Sequence, residues 1–146
     1  MDTNEVLYNR INDSFKKQNF LSFIGAELMH VEDGKVIITC ERKDFLTQQQ
    51  GLIHGGVVTS LADVSCGYSA LTTMSEDSEV LTVEFKINLI RPAISNKIVA
   101  TGEVIKSGKT LVIVESTVTD ESGEKIIAKM LATMITTKSK NSLDIK

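Results

Sequence analysis

Within QGLIHGGVVTSLADVSCGYSALTTM, Gln50 to Met74, a carboxylate, Asp63, interrupts a run that otherwise reads as a buried helix. From Val57 the apolar residues Leu61, Val64, Tyr68 and Leu71 recur at helical spacing and predict a core stripe. Around Asp63 the same helix carries Gly56, Thr59, Ser60, Cys66, Gly67 and Ala70, nearly all small. A partly buried, unpaired carboxylate is costly, so something must compensate for it. Desolvation raises the pKa of such a group and suits it to act as a base or as a nucleophile on a carbonyl. The small neighbours predict close approach by another backbone or by a ligand.

The second reactive feature is His54-Gly55-Gly56 at the start of the same helix. Glycines there leave backbone N–H groups uncovered, and the helix dipole adds positive potential, an arrangement suited to an anion or a developing oxyanion. The plainer reading is that Gly55 and Gly56 only permit a tight entry turn, with His54 satisfying local backbone groups. Gly55 and Asp63 are eight residues apart, about 12 Å along a helix. An oxyanion donor and a base must each lie within ~3 Å of neighbouring substrate atoms. One chain cannot easily supply both; two such helices packed antiparallel across a two-fold could. The spacing therefore predicts an obligate dimer if the protein is an enzyme.

The elements around this helix follow from periodicity. Asn4 to Gln18 place Leu7, Ile11 and Phe15 on one face, predicting an N-terminal helix within residues 1–20. Gly34–Arg42 is a β-branched run and reads as a strand. The central helix is expected from about Gly55 to Met74. LTVEFKINLI alternates, with Val83, Phe85, Ile87 and Leu89 on one face and Thr82, Glu84, Lys86 and Asn88 on the other, a half-buried strand. Arg91-Pro92 stops or bends it. KIVATGEVIK, TLVIVESTVTD and KIIAKMLATMITT give three more strands joined by SGK and ESGE turns. The polar tail, residues 138–146, is expected to fray. One long helix among sequential strands is an α+β pattern, an antiparallel sheet curled around a helix. A parallel nucleotide-binding fold lacks its Gly-rich motif.

Bulk properties narrow the function further. At 146 residues, the chain is expected to form one domain, 1–146, with a real core. A net charge of −3 argues against a nucleic-acid partner. The N-terminus lacks an apolar leader core, and the longest weakly charged run contains Asp63 and His54, so neither a leader nor a membrane span is expected. Two cysteines, Cys40 and Cys66, make no disulfide framework and fit a reducing, cytoplasmic compartment. Cys66 reads as a small buried helix residue rather than a nucleophile. Two histidines, His30 and His54, without a paired-ligand motif, predict no metal site. No Gly-x-Ser-x-Gly elbow supports a serine hydrolase.

GLIHGGVVTSLAD followed by TVEFKINLIRPA resembles the hotdog-fold acyl-CoA thioesterases, in particular the phenylacetyl-CoA-type subgroup, over roughly Phe23 to Thr137. The resemblance implies a hotdog homodimer with shared active sites, often paired into a tetramer, that hydrolyses a thioester to a free acid and coenzyme A. It implies no cofactor, coenzyme A being part of the substrate. By position, Asp63 matches the family's essential carboxylate, nucleophile or general base on water. Gly55 matches the residue whose N–H polarises the thioester carbonyl, and His54 the histidine beside it. Thr82 matches a strand hydroxyl near the attacking water. Gln48 stands where many members have asparagine, a departure that leaves the amide's role open. Substrate contacts map to Gly56, Arg91 and the hairpin KSGKTL, with Lys106, Gly108, Lys109 and Thr110; a Gly turn flanked by lysines suits phosphates. The plainer reading of those lysines is surface solvation. Two other activities stay open: a hotdog hydratase or dehydratase using His54 with Asp63, and a non-catalytic acyl-CoA-binding module.

Overall fold

The structure, a computed structural model, describes residues 2–138. The fraying expected for the tail concerns residues outside that range; Lys138, its first residue, ends a strand instead. Helix α1, Thr3–Lys16, is capped by the Asp2 side chain, which accepts from the Asn4 N–H. It buries Ile11 and Phe15 as its periodicity requires, with Leu7 packed beside them. Two unexpected elements follow: α2, Asn19–Ile24, which ends at Gly25 with φ 77°, and β1, Ala26–Glu32. A left-handed residue at that position closes a helix at least cost as glycine. Then come β2, Lys35–Glu41, a 3₁₀ turn at Asp44–Leu46, and α3, Gly55–Thr72. The strands β3, Ser78–Leu89, β4, Lys97–Ser107, β5, Leu111–Asp120, and β6, Ile126–Lys138, complete the order.

All six strands form one antiparallel sheet in the order β1-β2-β4-β5-β6-β3. The sheet curls around α3, which packs against every strand. This is the hotdog architecture that the family resemblance implies.

The face of α3 that meets the sheet differs from the expected stripe. Leu61, Tyr68 and Leu71 are buried, but so are Ala62, Ser65, Cys66, Ser69 and Ala70, whereas Val57 and Val64 are only partly covered. A sheet wrapped around a helix approaches it closely, and small residues permit that approach. The tightest point is Gly102 on β4: a Cβ there would collide with the Ser65 carbonyl, with the Ser69 hydroxyl also in the way. Ser65 and Ser69 satisfy their buried hydroxyls locally, Ser65 with Ala62 O and Ser116 Oγ, Ser69 with Ser65 O. Gly102→Ala is expected to destabilise the fold by about 3 kcal/mol, lowering Tm by roughly 6–12 °C, as thermal unfolding would measure.

Arg10 of α1 fixes the other end of α3. Its guanidinium donates to the carbonyls of Leu71, Met74 and Ser75 at 3.3, 3.1 and 2.6 Å, capping a helix C-terminus that the dipole makes negative.

Strand β3 is where the sequence pattern and the structure part. Its register against β6 slips between Thr82 and Glu84, a β-bulge at Val83. Thr82 lies opposite Met134, while Phe85, Ile87 and Leu89 lie opposite Ala132, Met130 and Ala128. Met134, Ala132, Met130 and Ala128 are all buried, so Thr82 shares the helix-facing side with Phe85, Ile87 and Leu89. Simple alternation puts Thr82 on the opposite side from them; the extra residue inverts its phase. The strand is also less buried than expected: Leu81, Val83, Phe85 and Leu89 are all exposed along the free edge of the sheet.

Candidate active site

The inverted phase of Thr82 has a chemical result. Its hydroxyl donates to Asp63 Oδ1 at 2.8 Å. Burial pushes the Asp63 carboxyl above the ordinary aspartate range, and the Thr82 hydrogen bond draws part of that shift back. Asp63 and Thr82 open onto a cavity of about 380 Å³ that runs between α3, the first half of β3 and α1. Cys66, one turn along the helix, is fully buried, and desolvation together with the Asp63 charge pushes its thiol far up. It is an inert core thiol.

At the N-terminus of α3 the backbone donors are divided between uses. The His54 imidazole Nδ1 accepts the Gly56 N–H at 2.8 Å, so His54 caps the helix and carries its ring proton on Nε2. The Val57 and Val58 N–H groups return to the His54 carbonyl. Gly55, first residue of the helix, has the N–H for which the described residues supply no acceptor. A Cβ on Gly55 would sit 3.1 Å from Leu89 Cδ1, which puts this end of the helix beside the end of β3.

Gly55 lines a second cavity, of about 310 Å³, with Gln48, Leu89 and Arg91. Gln48 Oε1 accepts from the Gln50 and Leu52 N–H groups, and Gln48 Nε2 donates to Gln50 Oε1. The amide thus organises its own turn, closed by Gly51 at φ 79°. Arg91 donates to the Ile126 carbonyl at 2.8 Å and borders a further cavity with Lys125. At the opposite end of the sheet, Gly108 and Lys109 line a cavity with Thr73, Ser75 and Ser78. Lys106 and Thr110 are exposed nearby, outside that lining. Gly108 turns tightly, its N–H donating to Leu111 O, and a Cβ there would press on that same carbonyl.

One chain therefore brings Asp63 and Thr82 together, and Gly55, Gln48 and Arg91 together, but puts the two groups in separate cavities. Sequence reasoning missed other lining of the Asp63 cavity, Ser14 of α1 and Gln18 in the link to α2, with Tyr68 of α3. Part of the signal was present: Ser14 shares the helix face of the buried Ile11 and Phe15, and a polar residue on such a face asks for a partner.

A central helix wrapped by a six-stranded antiparallel sheet defines a hotdog-type domain. The chain belongs to the thioesterase superfamily, whose family model matches residues 50–127, and is a thioester hydrolase. It is similar to human acyl-coenzyme A thioesterase 13, 30% identical over 78% of this chain and 82% of that protein. It is also similar to the 1,4-dihydroxy-2-naphthoyl-CoA hydrolase of Listeria monocytogenes, 32% identical over 71% of this chain and 84% of that protein. Among solved structures, a thioesterase family protein from Silicibacter pomeroyi superposes with a TM-score of 0.87 at 35% identity, covering 90% of this chain and 98% of that one.

Proposed function

We propose that this protein hydrolyses acyl-CoA thioesters to a free acid and coenzyme A, with Asp63 as the reactive carboxylate. The observation that carries the reading is Asp63 itself, a half-buried carboxylate raised by burial and held by Thr82 at the mouth of a cavity. As a general base it takes a proton from water as the water oxygen bonds to the thioester carbon; as a nucleophile its own oxygen forms that bond. In either case the carbonyl oxygen becomes an oxyanion, the C–S bond breaks, and the coenzyme A thiolate leaves and is protonated; on the nucleophilic route water then hydrolyses the Asp63–acyl anhydride, releasing the free acid and restoring the carboxylate. The Gly55 N–H is the oxyanion donor, the Gly56 N–H being taken by His54. His54 keeps that donor arrangement in place, and Gln48 shapes the adjoining turn. No separate cofactor enters the reaction. Cys40 and Cys66, both free and buried, support a reducing, cytoplasmic setting.

The functional unit in this reading is a homodimer that shares its sites, with further pairing into a tetramer. Strand β3 leaves a free edge with exposed apolar side chains, a surface that proteins normally cover. Thr82 marks the Asp63 end of the site along this strand, and Leu89 marks the Gly55 end. Two β3 strands paired antiparallel and centred near Phe85 would set Thr82 of one chain across from the Leu89 region of the other. Asp63 then meets the second chain's Gly55. The same two-fold brings Arg91 of one chain toward the Gly108–Lys109 hairpin of the other, offering cations from both subunits to the phosphates of coenzyme A.

Incubation with a panel of acyl-CoAs and a free-thiol reagent tests the activity. Thiol release supports hydrolysis; changed acyl unsaturation without thiol would mean a hydratase, and binding alone a sensor. Sharing is tested by re-pairing equal amounts of Asp63→Asn and Gly55→Pro chains, each nearly inactive alone. Half the dimers are then mixed, and each mixed dimer holds one site with both defects and one with neither. About a quarter of wild-type activity per chain should return. A mixture as inactive as its parents, with subunit exchange demonstrated, would place the whole site within one chain.

A further inference from the structure

The cavity beside Asp63 has a floor that the reaction itself does not use. Tyr68 is one and a half turns along α3 from Asp63, on the flank facing α1, and only 4% exposed. Its phenol oxygen is held by two residues of the N-terminal segment: Gln18 Nε2 donates to it at 2.7 Å, and the Ser14 hydroxyl shares a hydrogen bond with it at 3.0 Å. The ring leans on Phe15, centroids 6.0 Å apart. Val64, Gly67, Leu71 and Val80 supply apolar or small walls of this cavity, while the charged Lys17 and Glu79 also line it, Glu79 close enough to act on the Tyr68 phenol. A corridor that starts at the reactive carboxylate and stops at a fixed hydroxyl network has a defined length.

We infer that Tyr68, braced by Ser14 and Gln18, is the end wall of an acyl pocket and limits the enzyme to short acyl groups. This rests on the thioesterase reading above and deepens it by naming the substrate class. Asp63 and Tyr68 are five residues apart, a rise of about 7.5 Å along the helix, the length scale of an acyl chain of about six carbons. A longer chain must displace the phenol from hydrogen bonds that no methylene can replace, and it gains no apolar surface by doing so. Burial pushes the Tyr68 phenol up and keeps it protonated, so its oxygen stays both donor and acceptor. The N-terminal helix thereby acts on specificity through Tyr68, without touching the reacting atoms.

The test is a kcat/KM profile over straight-chain acyl-CoAs from butanoyl to palmitoyl. The wild type should peak at about six carbons and fall roughly tenfold or more by lauroyl, the scale on which pockets discriminate by methylenes. Tyr68→Ala should move the peak to chains longer by about three or four carbons while leaving butanoyl-CoA a substrate. Gly67→Leu moves the limit the other way: a Cβ on Gly67 meets only Val80 Cγ1, at 4.0 Å, so the added side chain enters the corridor. It should suppress octanoyl-CoA hydrolysis more than butanoyl-CoA hydrolysis. Both variants are checked for folding by circular dichroism, and Gly67→Leu alone decides the matter if Tyr68→Ala does not fold. Thiol release with a wild-type chain-length profile in the folded variants overturns the end wall and leaves the thioesterase reading standing. No thiol release from any acyl-CoA by the wild type overturns both.

Discussion

Asp63→Asn should yield a folded protein whose kcat for acyl-CoA hydrolysis is about 10³–10⁴-fold below wild type, roughly 4–5.5 kcal/mol of lost transition-state stabilisation. The substitution is nearly isosteric, and its amide oxygen can still accept from the Thr82 hydroxyl now 2.8 Å away, so geometry survives while basicity and nucleophilicity vanish. The raised pKa of Asp63 adds two checks with definite signs. In the proposed mechanism the reactive form is the carboxylate, so wild-type activity should fall as pH drops through that raised value. For stability, the folded state holds its proton up to a higher pH than the unfolded chain does. Ionisation of Asp63 therefore weakens the fold as pH rises through the interval between the two pKa values. At neutral pH the Asn variant should thus match or exceed the wild-type Tm while being nearly inactive. Turnover close to wild type in that variant would remove Asp63 from the mechanism.

Gly55→Pro should lower kcat by roughly 10²–10³-fold, the scale for losing one oxyanion donor. Proline deletes the N–H yet is well tolerated at the first position of a helix, because that N–H has no partner within the helix. The ring also brings a Cβ, which would stand 3.1 Å from Leu89 Cδ1, the tip of a flexible side chain. Gly55→Ala separates the two changes, since it adds the Cβ and keeps the donor; it should lose far less than the proline variant. Circular dichroism establishes that α3 is intact in both. Normal turnover in a folded Gly55→Pro protein would put the donor elsewhere, and Gly56 is a poor candidate while His54 holds its N–H.

Long elements with clean periods were legible in the sequence: α1, α3 and β4–β6 come directly from the spacing of apolar residues. Strand β1 was not, because Ala26–Glu32 lies at a sheet edge with most of its side chains exposed, so burial writes no alternation into it. Helix α2 is six residues long, too short for a periodic signal. The core face of α3 was misjudged because Ala62, Ser65 and Ser69 are buried for their size rather than their apolarity. Asp63 and Gly55 were legible as chemistry, a charge and an uncovered N–H where packing alone asks for neither. The meeting of Thr82 with Asp63 was not legible from alternation, since a bulge that shifts phase has no residue type of its own here. Tyr68, Ser14 and Gln18 converge across 50 and 54 residues of chain, a distance no local pattern spans.

The bulge at Val83 also bears on which strands this protein tolerates at its side. The free edge of β3 is twelve residues long and carries exposed leucine, valine and phenylalanine, the composition of a template for indiscriminate aggregation. A foreign strand of regular pleat would find its ladder interrupted where Val83 throws the N–H and C=O groups out of step. In the proposed pairing of two copies, centred near Phe85, each Val83 lies opposite the other chain's Ile87, so the two interruptions sit on either side of the two-fold. One inserted residue thus divides a long sticky border into two short runs, and a short run is a poor template for a stranger.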